Sequence, residues 1–491
     1  MPVRNRIADM LPEITAWRHD FHQHPELLFE VQRTAARVAD LCRSFGCDEV
    51  TAGVGRSGVV AVIRGRSNAS GRVIGLRADM DALPIREQTG VSYASKNPGK
   101  MHACGHDGHT SMLLGAAKYL AETRNFDGTA VCIFQPAEEG GGGGREMVQD
   151  GMLERWAIQE VYGMHNMPGI PVGEFAIRPG AMMAAADTVE ITVTGKGGHA
   201  AKPHDCIDTT LLAAHIIVAL QTIAARGVDP LKQVVVSICA VETDSTAHNV
   251  IPQVVVMKGT VRSMDPAVQD YVERRVREIA CGTALALGGR AEVSYERGYP
   301  VTVNAEANTR FAAEVARSIG VRVDTDTPPL MGAEDFSFML LERPGAYIFV
   351  GNGDTAMVHH PEYDFADAAI PFGGKLVCRH GRGADAGVTG GAGIAPLRRV
   401  CTAIGGLWQE GGYLGQAVAP KQMRICAGMK GQSILASGSG DGQSGALRRL
   451  CGGRAVLVAG TGTGAGTGAG AGAGAGTANR ASFSGGRRRR S

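Results

Sequence analysis

The sequence lacks an uninterrupted run of about eighteen apolar residues, which is the least that a transmembrane helix requires. Residues 1–9 also lack the apolar stretch that is typical of a signal peptide. These two absences argue against a membrane partner and against secretion. We therefore expect a cytoplasmic protein.

The sequence also lacks two patterns that would define other classes of protein. Its 11 cysteines have no regular spacing, and an odd number cannot all pair within one chain. This excludes the disulfide framework of a small secreted domain and favours reduced thiols. The five glycines at 140–144 are not followed by Gly-Lys-Ser or Gly-Lys-Thr, which excludes a phosphate-binding loop.

Acidic residues are scarce at the end of the chain. Residues 373–491 contain 3 Asp and Glu against 16 Lys and Arg, together with 32 of the 69 glycines. Such a composition buries too little apolar surface to offset chain entropy, so we predict a disordered, basic, low-complexity tail over 373–491. The arginines at 487–490 could attract nucleic acid, but a solvated run of charge is the more common meaning of such an end.

The first 372 residues alternate predicted helices and strands. Amphipathic spacing predicts helices over 7–24 and 29–45, and short apolar runs predict strands at 58–63, 73–78 and 129–134. This alternation is typical of an α/β sheet. A chain of 491 residues also exceeds what one hydrophobic core normally serves, so more than one domain is expected.

The pattern changes between residues 187 and 299. Here the predicted order is strand, helix, strand, strand, helix, strand, which is the βαββαβ order of a ferredoxin-like domain. We predict that 187–299 is inserted into a larger metal-binding catalytic domain, which is formed by 1–186 and 300–372.

One cysteine, three histidines and one aspartate occur within residues 101–110. Cys104 and His106 are two positions apart, so in an extended segment both project to the same side and can reach one ion. Thiolate and imidazole groups are ligands that divalent metals such as zinc accept. His102 and His109 could support a ligand, or they could be ordinary solvated histidines.

Glu138 and Glu139 follow the strand predicted at 129–134. If the extended geometry continues, they point to opposite sides. One of them can then bind metal while the other removes a proton from the attacking water. A solvated acidic pair would be the better interpretation in isolation, but the Cys/His cluster reverses that preference.

Further histidines are candidates from their positions alone. His165 ends an apolar segment and could be a ligand or a core histidine. Either His359 or His360, which precede a proline on a loop, is expected to be a ligand. His199 lies in a glycine-rich turn after a strand, where it could reach an active site.

Seven segments of the sequence together resemble one family. Their sequences are RADMDALP at 77–84, MHACGHDGH at 101–109, FQPAEE at 134–139, GKGGH at 195–199, HNVIP at 248–252, GTVRS at 259–263 and GAEDF at 332–336. In this order they resemble the amidohydrolase branch of the aminoacylase/carboxypeptidase-G type metallopeptidases, over about residues 5–372. This branch includes hippurate hydrolase and other N-acyl-amino-acid amidohydrolases.

The resemblance implies a site with two divalent metal ions, either manganese, zinc or cobalt. The implied ligands are Cys104, His106, Glu139, His165 and His359. The resemblance also implies that Glu138 is the general base and that Asp81 orients a metal-binding group.

For the segment 187–299, the resemblance implies a lid and dimerisation domain, and hence a homodimer or homotetramer. Within it, His199 would stabilise the oxyanion, and Asn249 and Arg262 would bind the substrate carboxylate. The implied reaction is hydrolysis of the amide bond of N-acyl-L-amino acids, either hippurate-like or N-acetylated, to a carboxylate and a free amino acid.

Two alternatives remain open at this point. One is a deacetylase of the N-acetyl-diaminopimelate type. The other is a non-catalytic remnant that binds metal or a peptide, because the family's final helix is expected to be replaced from Lys375 onward. We interpret the foreign C-terminal segment as the product of an altered reading frame.

Overall fold

The computed structural model describes residues 3–319 and 322–381. The helices are α1 (Val3–Asp9), α2 (Leu11–Gln23), α3 (Gln32–Ser44), α4 (His106–Thr123), α5 (Gly143–Gln149), α6 (Met152–Arg155), α7 (Thr209–Thr222), α8 (Pro266–Ala286), α9 (Glu306–Ser318), α10 (Ser337–Glu342) and α11 (Ile370–Gly381). The strands are β1 (Glu49–Val54), β2 (Gly58–Arg64), β3 (Val73–Asp79), β4 (Thr129–Gln135), β5 (Glu160–Met167), β6 (Phe175–Ala176), β7 (Gly180–Met183), β8 (Ala185–Thr194), β9 (Gly198–His199), β10 (Val234–Thr243), β11 (Val250–Ile251), β12 (Val254–Ser263), β13 (Arg290–Tyr299), β14 (Thr302–Asn304), β15 (Val323–Asp324) and β16 (Gly345–Gly351).

The larger sheet has eight strands in the order β1-β2-β4-β3-β5-β16-β6-β15. Its central strands β4, β3, β5 and β16 are parallel to one another. Parallel strands end at the same edge of a sheet, so β3, β4 and β5 bring Asp79, the segment after Gln135 and His165 to one edge. The predicted mixed α/β architecture with a central sheet is confirmed.

Helices cover both faces of this sheet. On one face, a core that includes Ile14 of α2, Leu114 of α4 and Leu376 of α11 packs against β2, β3 and β4. On the other face, a second core includes Trp156 and Phe336. The central strands are therefore buried on both faces, and the loops at the edge of the sheet begin and end on these buried strands.

The helix predicted over 7–24 is in fact two helices. It is interrupted at Met10, between α1 and α2, and Pro12 lies in the first turn of α2. Proline has no backbone N–H to donate to the carbonyl four residues earlier, so one helix cannot run through this position without losing a hydrogen bond.

The smaller sheet has four antiparallel strands in the order β10-β12-β8-β13. With α7 and α8 these strands follow one another as strand, helix, strand, strand, helix, strand. Asp208 and Asp265 cap the two helices, each by accepting hydrogen bonds from two backbone N–H groups of the first turn. The elements have their own buried core. The domain limits at 187 and 299 stay a prediction.

The helical segment Thr209–Gly227 is long and apolar, although much of it lies at the surface of the single chain. Its length and apolar composition would by themselves suit a membrane span. However, Leu212, Ile216 and Leu220 lie in the core of the four-stranded sheet, whereas Leu211 and Val218 are 54% and 71% exposed. The helix thus has one face packed on its own sheet and a second apolar face that is uncovered in the single chain.

The prediction of a disordered tail is wrong for residues 373–381, which belong to α11. Leu376, Cys378 and His380 of this helix are buried, and Leu376 and Cys378 share a core with α4. The average composition of 373–491 concealed the helical spacing of these few apolar residues. The expected loss of a final helix is therefore not found here, and the predicted disorder of 382–491 lies outside the described residues.

Candidate metal centre

A glycine turn places Cys104 and His106 together. His106 is the first residue of α4, and Gly105 before it has a φ of 89°. A Cβ at Gly105 would lie 2.3 Å from Nδ2 of Asn166, so both the backbone conformation and the available space require glycine. This close turn brings the cysteine and histidine side chains to the edge of the sheet.

The predicted ligands converge on one another. Three overlapping groups have ligand atoms that all lie within 4.8 Å of one another: Cys104 with His106 and His165, Cys104 with Glu139 and His359, and His106 with Glu138 and Glu139. These groups contain all five residues that the resemblance implies as ligands, together with the implied base. Ligand roles for them stay a prediction, but their proximity is a finding.

Hydrogen bonds to backbone carbonyls set the orientation of two imidazoles. Nδ1 of His106 lies 2.9 Å from the carbonyl oxygen of Asp81, and Nδ1 of His165 lies 2.6 Å from that of Asn166. A carbonyl can only accept, so each Nδ1 carries a hydrogen, and in the neutral form of each ring Nε2 keeps its lone pair. Nε2 of His165 points at Sγ of Cys104, at 3.3 Å.

Two buried atoms in this cluster have no hydrogen-bond partner. They are Nε2 of His106 and Oε1 of Glu139. A buried polar atom without a partner costs about 1–3 kcal/mol, so such atoms normally face a ligand, an ion or water. Because both are electron-pair donors and both face the other candidate ligands, the residues fit a divalent metal.

The ionisation of the cluster also favours a cation. Burial, together with the charges of Glu139 and Glu138, raises the pKa of the Cys104 thiol well above its usual value. Burial alone would lower the pKa of His106, but Asp79, Asp81 and Glu139 raise it to about 10. The carboxylates thus attract positive charge to this point, and a metal ion could take the place of the proton.

The side chains of Glu138 and Glu139 contact different neighbours. The extended geometry of β4 does not continue, because Ala137 adopts a left-handed conformation with a φ of 54°. Oε1 of Glu139 lies 3.3 Å from Nε2 of His359, whereas Glu138 faces Glu334 and Asp335. The condition of extended geometry on which opposite orientations were predicted is therefore not met, but the two carboxylates do contact different partners.

Their pKa values move in opposite directions. Burial, followed by the charge of Glu334, raises the pKa of Glu138 well above its ordinary value. Burial would also raise the pKa of Glu139, but the neighbouring imidazoles of His359 and His106 lower it. Two adjacent carboxyl groups with separated pKa values can take different roles, one as an ionised ligand and one as a proton carrier.

Asp81 holds this pair from the neighbouring strand end. Its Oδ1 accepts the N–H of Glu138 at 3.0 Å, and its Oδ2 accepts the N–H of Glu139 at 3.1 Å. Its backbone carbonyl receives Nδ1–H of His106. Asp81 therefore contacts three of the clustered residues through hydrogen bonds, which supports the predicted orienting role.

The remaining histidines are placed as follows. His109 bonds to Asp79 and to the backbone of Asn166. His102 is buried, and both of its ring nitrogens lack a partner. Nδ1 of His360 accepts the N–H of Glu362, whereas Nε2 of His359 lies 3.3 Å from Oε1 of Glu139, so of the two neighbouring histidines it is His359 that reaches the cluster.

The predicted residues of the inserted segment lie at two places. His199 and Asn249 are beyond the end where Thr194 of β8 pairs with Val254 of β12, whereas Arg262 is near the other end of β12, where it pairs with Ala186. His199 lies on β9, which pairs with β11, and the carbonyl of Asn249 accepts the N–H of Ala200 at 3.0 Å. Both His199 and Asn249 are exposed. The half-buried Arg262 donates to the carbonyl of Val261 at 3.0 Å. Within residues 3–319 and 322–381, no carboxylate forms an ion pair with Arg262, which leaves its charge available.

Sequence reasoning gave Asp79 no defined role and left Arg77 unconsidered. Arg77 is fully buried and donates to Asp79 at 2.7 Å and to Asp335 at 2.9 Å. It also forms an ion pair with Glu334. The only signal in the sequence was that the charged residues Arg77 and Asp79 occur at the end of an apolar strand. The acidic partner Asp335 of Arg77 lies more than 250 residues further along the chain.

Known proteins resemble this chain over most of its length. The family profile described as peptidase family M20/M25/M40 matches residues 75–382. Hippurate hydrolase of Campylobacter jejuni is 41% identical over 366 residues, which is 74% of this chain and 94% of that protein. N-acetyl-L-cysteine deacetylase of Bacillus subtilis is 40% identical over 365 residues, which is 74% of this chain and 86% of that protein.

A solved structure agrees with the fold. The YXEP protein of Bacillus subtilis, described as a dinuclear metal binding peptidase, superposes with a TM-score of 0.66 and 33% identity. The match covers 76% of this chain and 99% of that one. The described cluster of ligand-type side chains lies in the part of the chain that the family profile matches.

Proposed function

The chain belongs to peptidase family M20/M25/M40 and is a metal-dependent amidohydrolase, and from this premise we propose that its substrates are N-acyl-L-amino acids. The proposed reaction splits the amide of a hippurate-like or N-acetylated amino acid into a carboxylate and a free amino acid. The observation that carries the proposal is the convergence of His106 and Glu139, with their unpartnered buried atoms, beside Glu138.

The proposed cofactor is a pair of divalent ions. Two ligand groups share Cys104, one completed by His106 and His165 and the other by Glu139 and His359, which supports a dinuclear site. A thiolate favours softer ions such as zinc or cobalt, while the carboxylate tolerates manganese. When bound, such ions supply Lewis acidity to the substrate carbonyl.

Glu138 is the proposed proton carrier. Its carboxylate takes a proton from the attacking water, and the same proton then passes to the nitrogen of the leaving amine as the C–N bond breaks. The raised pKa of Glu138, which results from burial and from Glu334, suits a group that must both accept and release a proton. Asp81 keeps the backbone of Glu138 in place for this task.

The inserted segment is proposed to bind the rest of the substrate. Arg262, which has no carboxylate partner of its own among the described residues, is suited to hold the free carboxylate of the substrate. Asn249 is proposed to bind the same carboxylate, and because it lies beyond the opposite end of β12 it would do so from a second copy of the chain. His199 is proposed to donate a hydrogen bond to the oxyanion. For this, the segment 187–299 must act as a lid over the metal centre.

The partners and location follow from the same proposal. The uncovered apolar face of α7, with Leu211 and Val218 exposed, supports a homodimer or homotetramer formed through 187–299. All eight described cysteines are free thiols, which agrees with the proposed cytoplasmic location. We propose a small-molecule substrate and neither a membrane nor a nucleic acid as partner.

Amino-acid release from a panel of substrates tests the function. The panel contains hippurate, N-acetyl amino acids and N-acetyl-diaminopimelate, and the enzyme is stripped with a chelator and then supplied with Mn²⁺, Zn²⁺ or Co²⁺. We expect turnover that returns with metal and is absent in Glu138→Gln. Preference for N-acetyl-diaminopimelate would select the deacetylase alternative, and a folded, metal-loaded protein without any turnover would favour the non-catalytic alternative.

A further inference from the structure

The loop that carries Glu138 and Glu139 has an unusual backbone. Ala137, Gly140 and Gly142 all have positive φ angles, of 54°, 95° and 68°. Glycine adopts such angles freely, but alanine does so only when its surroundings hold it there. The position of the two carboxylates therefore depends on what fixes this loop from outside.

Tyr299 makes three hydrogen bonds to this loop through its hydroxyl oxygen. Its hydroxyl donates to the carbonyl of Glu138 at 2.6 Å. The same oxygen accepts the N–H groups of Gly140 at 2.9 Å and Gly142 at 3.0 Å. One donor and two acceptor sites are all that a hydroxyl can offer, so the group is fully used.

The ring of Tyr299 is itself held in place. It packs edge-on against Phe338 of α10, with a distance of 6.1 Å between ring centroids. The residue is also the last of β13, where the four-stranded sheet ends. The preceding Gly298 donates its N–H to Asp187 at 3.3 Å, and Asp187 is on β8, the strand with which β13 pairs.

Tyr299 complements the other anchors of the loop. Asp81 binds the N–H groups of Glu138 and Glu139 from the larger sheet, and Asp335 accepts the N–H of Gly144 at 2.8 Å. Tyr299 adds contacts from the end of the smaller sheet, to a carbonyl and to two N–H groups that the acidic anchors do not bind. The loop is thus fixed from both sheets.

We propose that Tyr299 is a positioning residue, which holds the loop so that Glu138 and Glu139 keep their places and which links 187–299 to the metal centre. Its effect on turnover rests on the function proposed above, but its effects on the loop and on metal binding do not. The bonds of its hydroxyl to the loop all go to backbone atoms, so it acts through the backbone.

The test compares Tyr299→Phe with Tyr295→Phe in the full chain. Tyr295 is on the same strand, and its hydroxyl also makes a buried hydrogen bond, to Asp187 at 2.8 Å, but it does not touch the loop. We expect Tyr299→Phe to lower kcat by about 10- to 100-fold with KM nearly unchanged, which is the size of effect seen when a group that supports a metal site is removed.

Two readouts do not depend on turnover. Hydrogen exchange should become faster at the amides of Gly140 and Gly142 in Tyr299→Phe, and calorimetric titration of Mn²⁺ into chelated protein should show weaker binding by about tenfold. Tyr295→Phe should change neither. Unaltered exchange and metal affinity in Tyr299→Phe, or equal losses in both variants, would overturn the proposal. A wild-type protein without turnover would contradict only the proposed reaction.

Discussion

Nδ1 of His109 lies 2.7 Å from Oδ1 of Asp79, at the first turn of α4. Nε2 of the same ring accepts the backbone N–H of Asn166 at 2.9 Å. Because a backbone N–H can only donate, the ring hydrogen must be on Nδ1, where it donates to Asp79. Both nitrogens of His109 are therefore occupied by hydrogen bonds within the protein.

The first prediction concerns Asp79, which pairs with His109 and with the buried Arg77. Asp79→Asn removes the charge that both partners need, so we expect a loss of unfolding free energy of about 3 kcal/mol and metal affinity weaker by about tenfold. Urea unfolding and metal titration measure the two effects. Asp48→Asn, at a partly exposed ion pair with Arg124, is the control and should cost less than about 1 kcal/mol.

The second prediction distinguishes the role of Glu138 from that of Glu139. Glu138→Gln should lower kcat by about 10²- to 10⁴-fold while metal still binds, because the amide cannot carry the proton. Glu139→Gln should instead weaken metal binding, because Oε1 of Glu139 is a buried atom without a hydrogen bond that faces the other candidate ligands. Equal loss of metal in both variants would make Glu138 a ligand and refute its assignment as the base.

The third prediction concerns the thiolate. Co²⁺ added to the chelated protein should produce a near-ultraviolet sulfur-to-metal absorption band, since Cys104 lies within both ligand groups. Cys104→Ser should abolish this band. The matched control is Cys132→Ser, a buried free cysteine on β4, and a band that persists in Cys104→Ser would exclude the assignment.

The fourth prediction concerns pH and His22. Its ring lies 2.9 Å from Asp107 and 3.3 Å from Glu87, and although burial opposes the charged form, these carboxylates raise its pKa to about 9. A raised pKa stabilises the fold below the unfolded value of 6.5, and that stabilisation is lost as the pH rises through 9.

Denaturant unfolding of wild type and His22→Gln measures this contribution. The difference in unfolding free energy should be greater by about 3 kcal/mol at about pH 6 than at about pH 10. His204→Gln, at an exposed histidine, should leave the pH profile of the wild type unchanged. A constant difference for His22→Gln would show that only packing had been lost.

The fifth prediction concerns the helix that the sequence composition concealed. Leu376 of α11 is 1% exposed within the larger core, so Leu376→Ala in the full chain should cost about 2–5 kcal/mol of unfolding free energy. Glu314→Ala, at an exposed position of α9, should change stability by less than about 0.5 kcal/mol. Similar stability of both variants would mean that α11 adds little to the fold.

Much of the fold was predictable because its signals are local. The apolar runs that became β2, β3 and β4 and the spacing that became α3 depend on neighbours within a few residues. Short strands such as β6 and β15 were not predicted, because two residues carry no recognisable period. Pro12 did carry a local signal for the break between α1 and α2, which the amphipathic spacing outweighed in the prediction.

The sequence by itself determined which chemical groups were available and how close chain neighbours could be. Thiol, imidazole and carboxylate groups at 101–110 and 138–139 indicated a metal site, and the Gly105 turn is set within a few residues. The ordered motifs also identified the family. These properties depend on side-chain chemistry and local backbone geometry, which the linear order already contains.

Only the tertiary structure decided which distant groups meet. His359 reaches Glu139 over 220 residues of chain, while the adjacent His360 turns away. Arg77 meets Asp335 because the order of strands in the sheet brings their two segments together. Tyr299 binds the loop of Glu138 for the same reason. Such contacts depend on how the sheets are assembled, and spacing along the chain contains no record of that assembly.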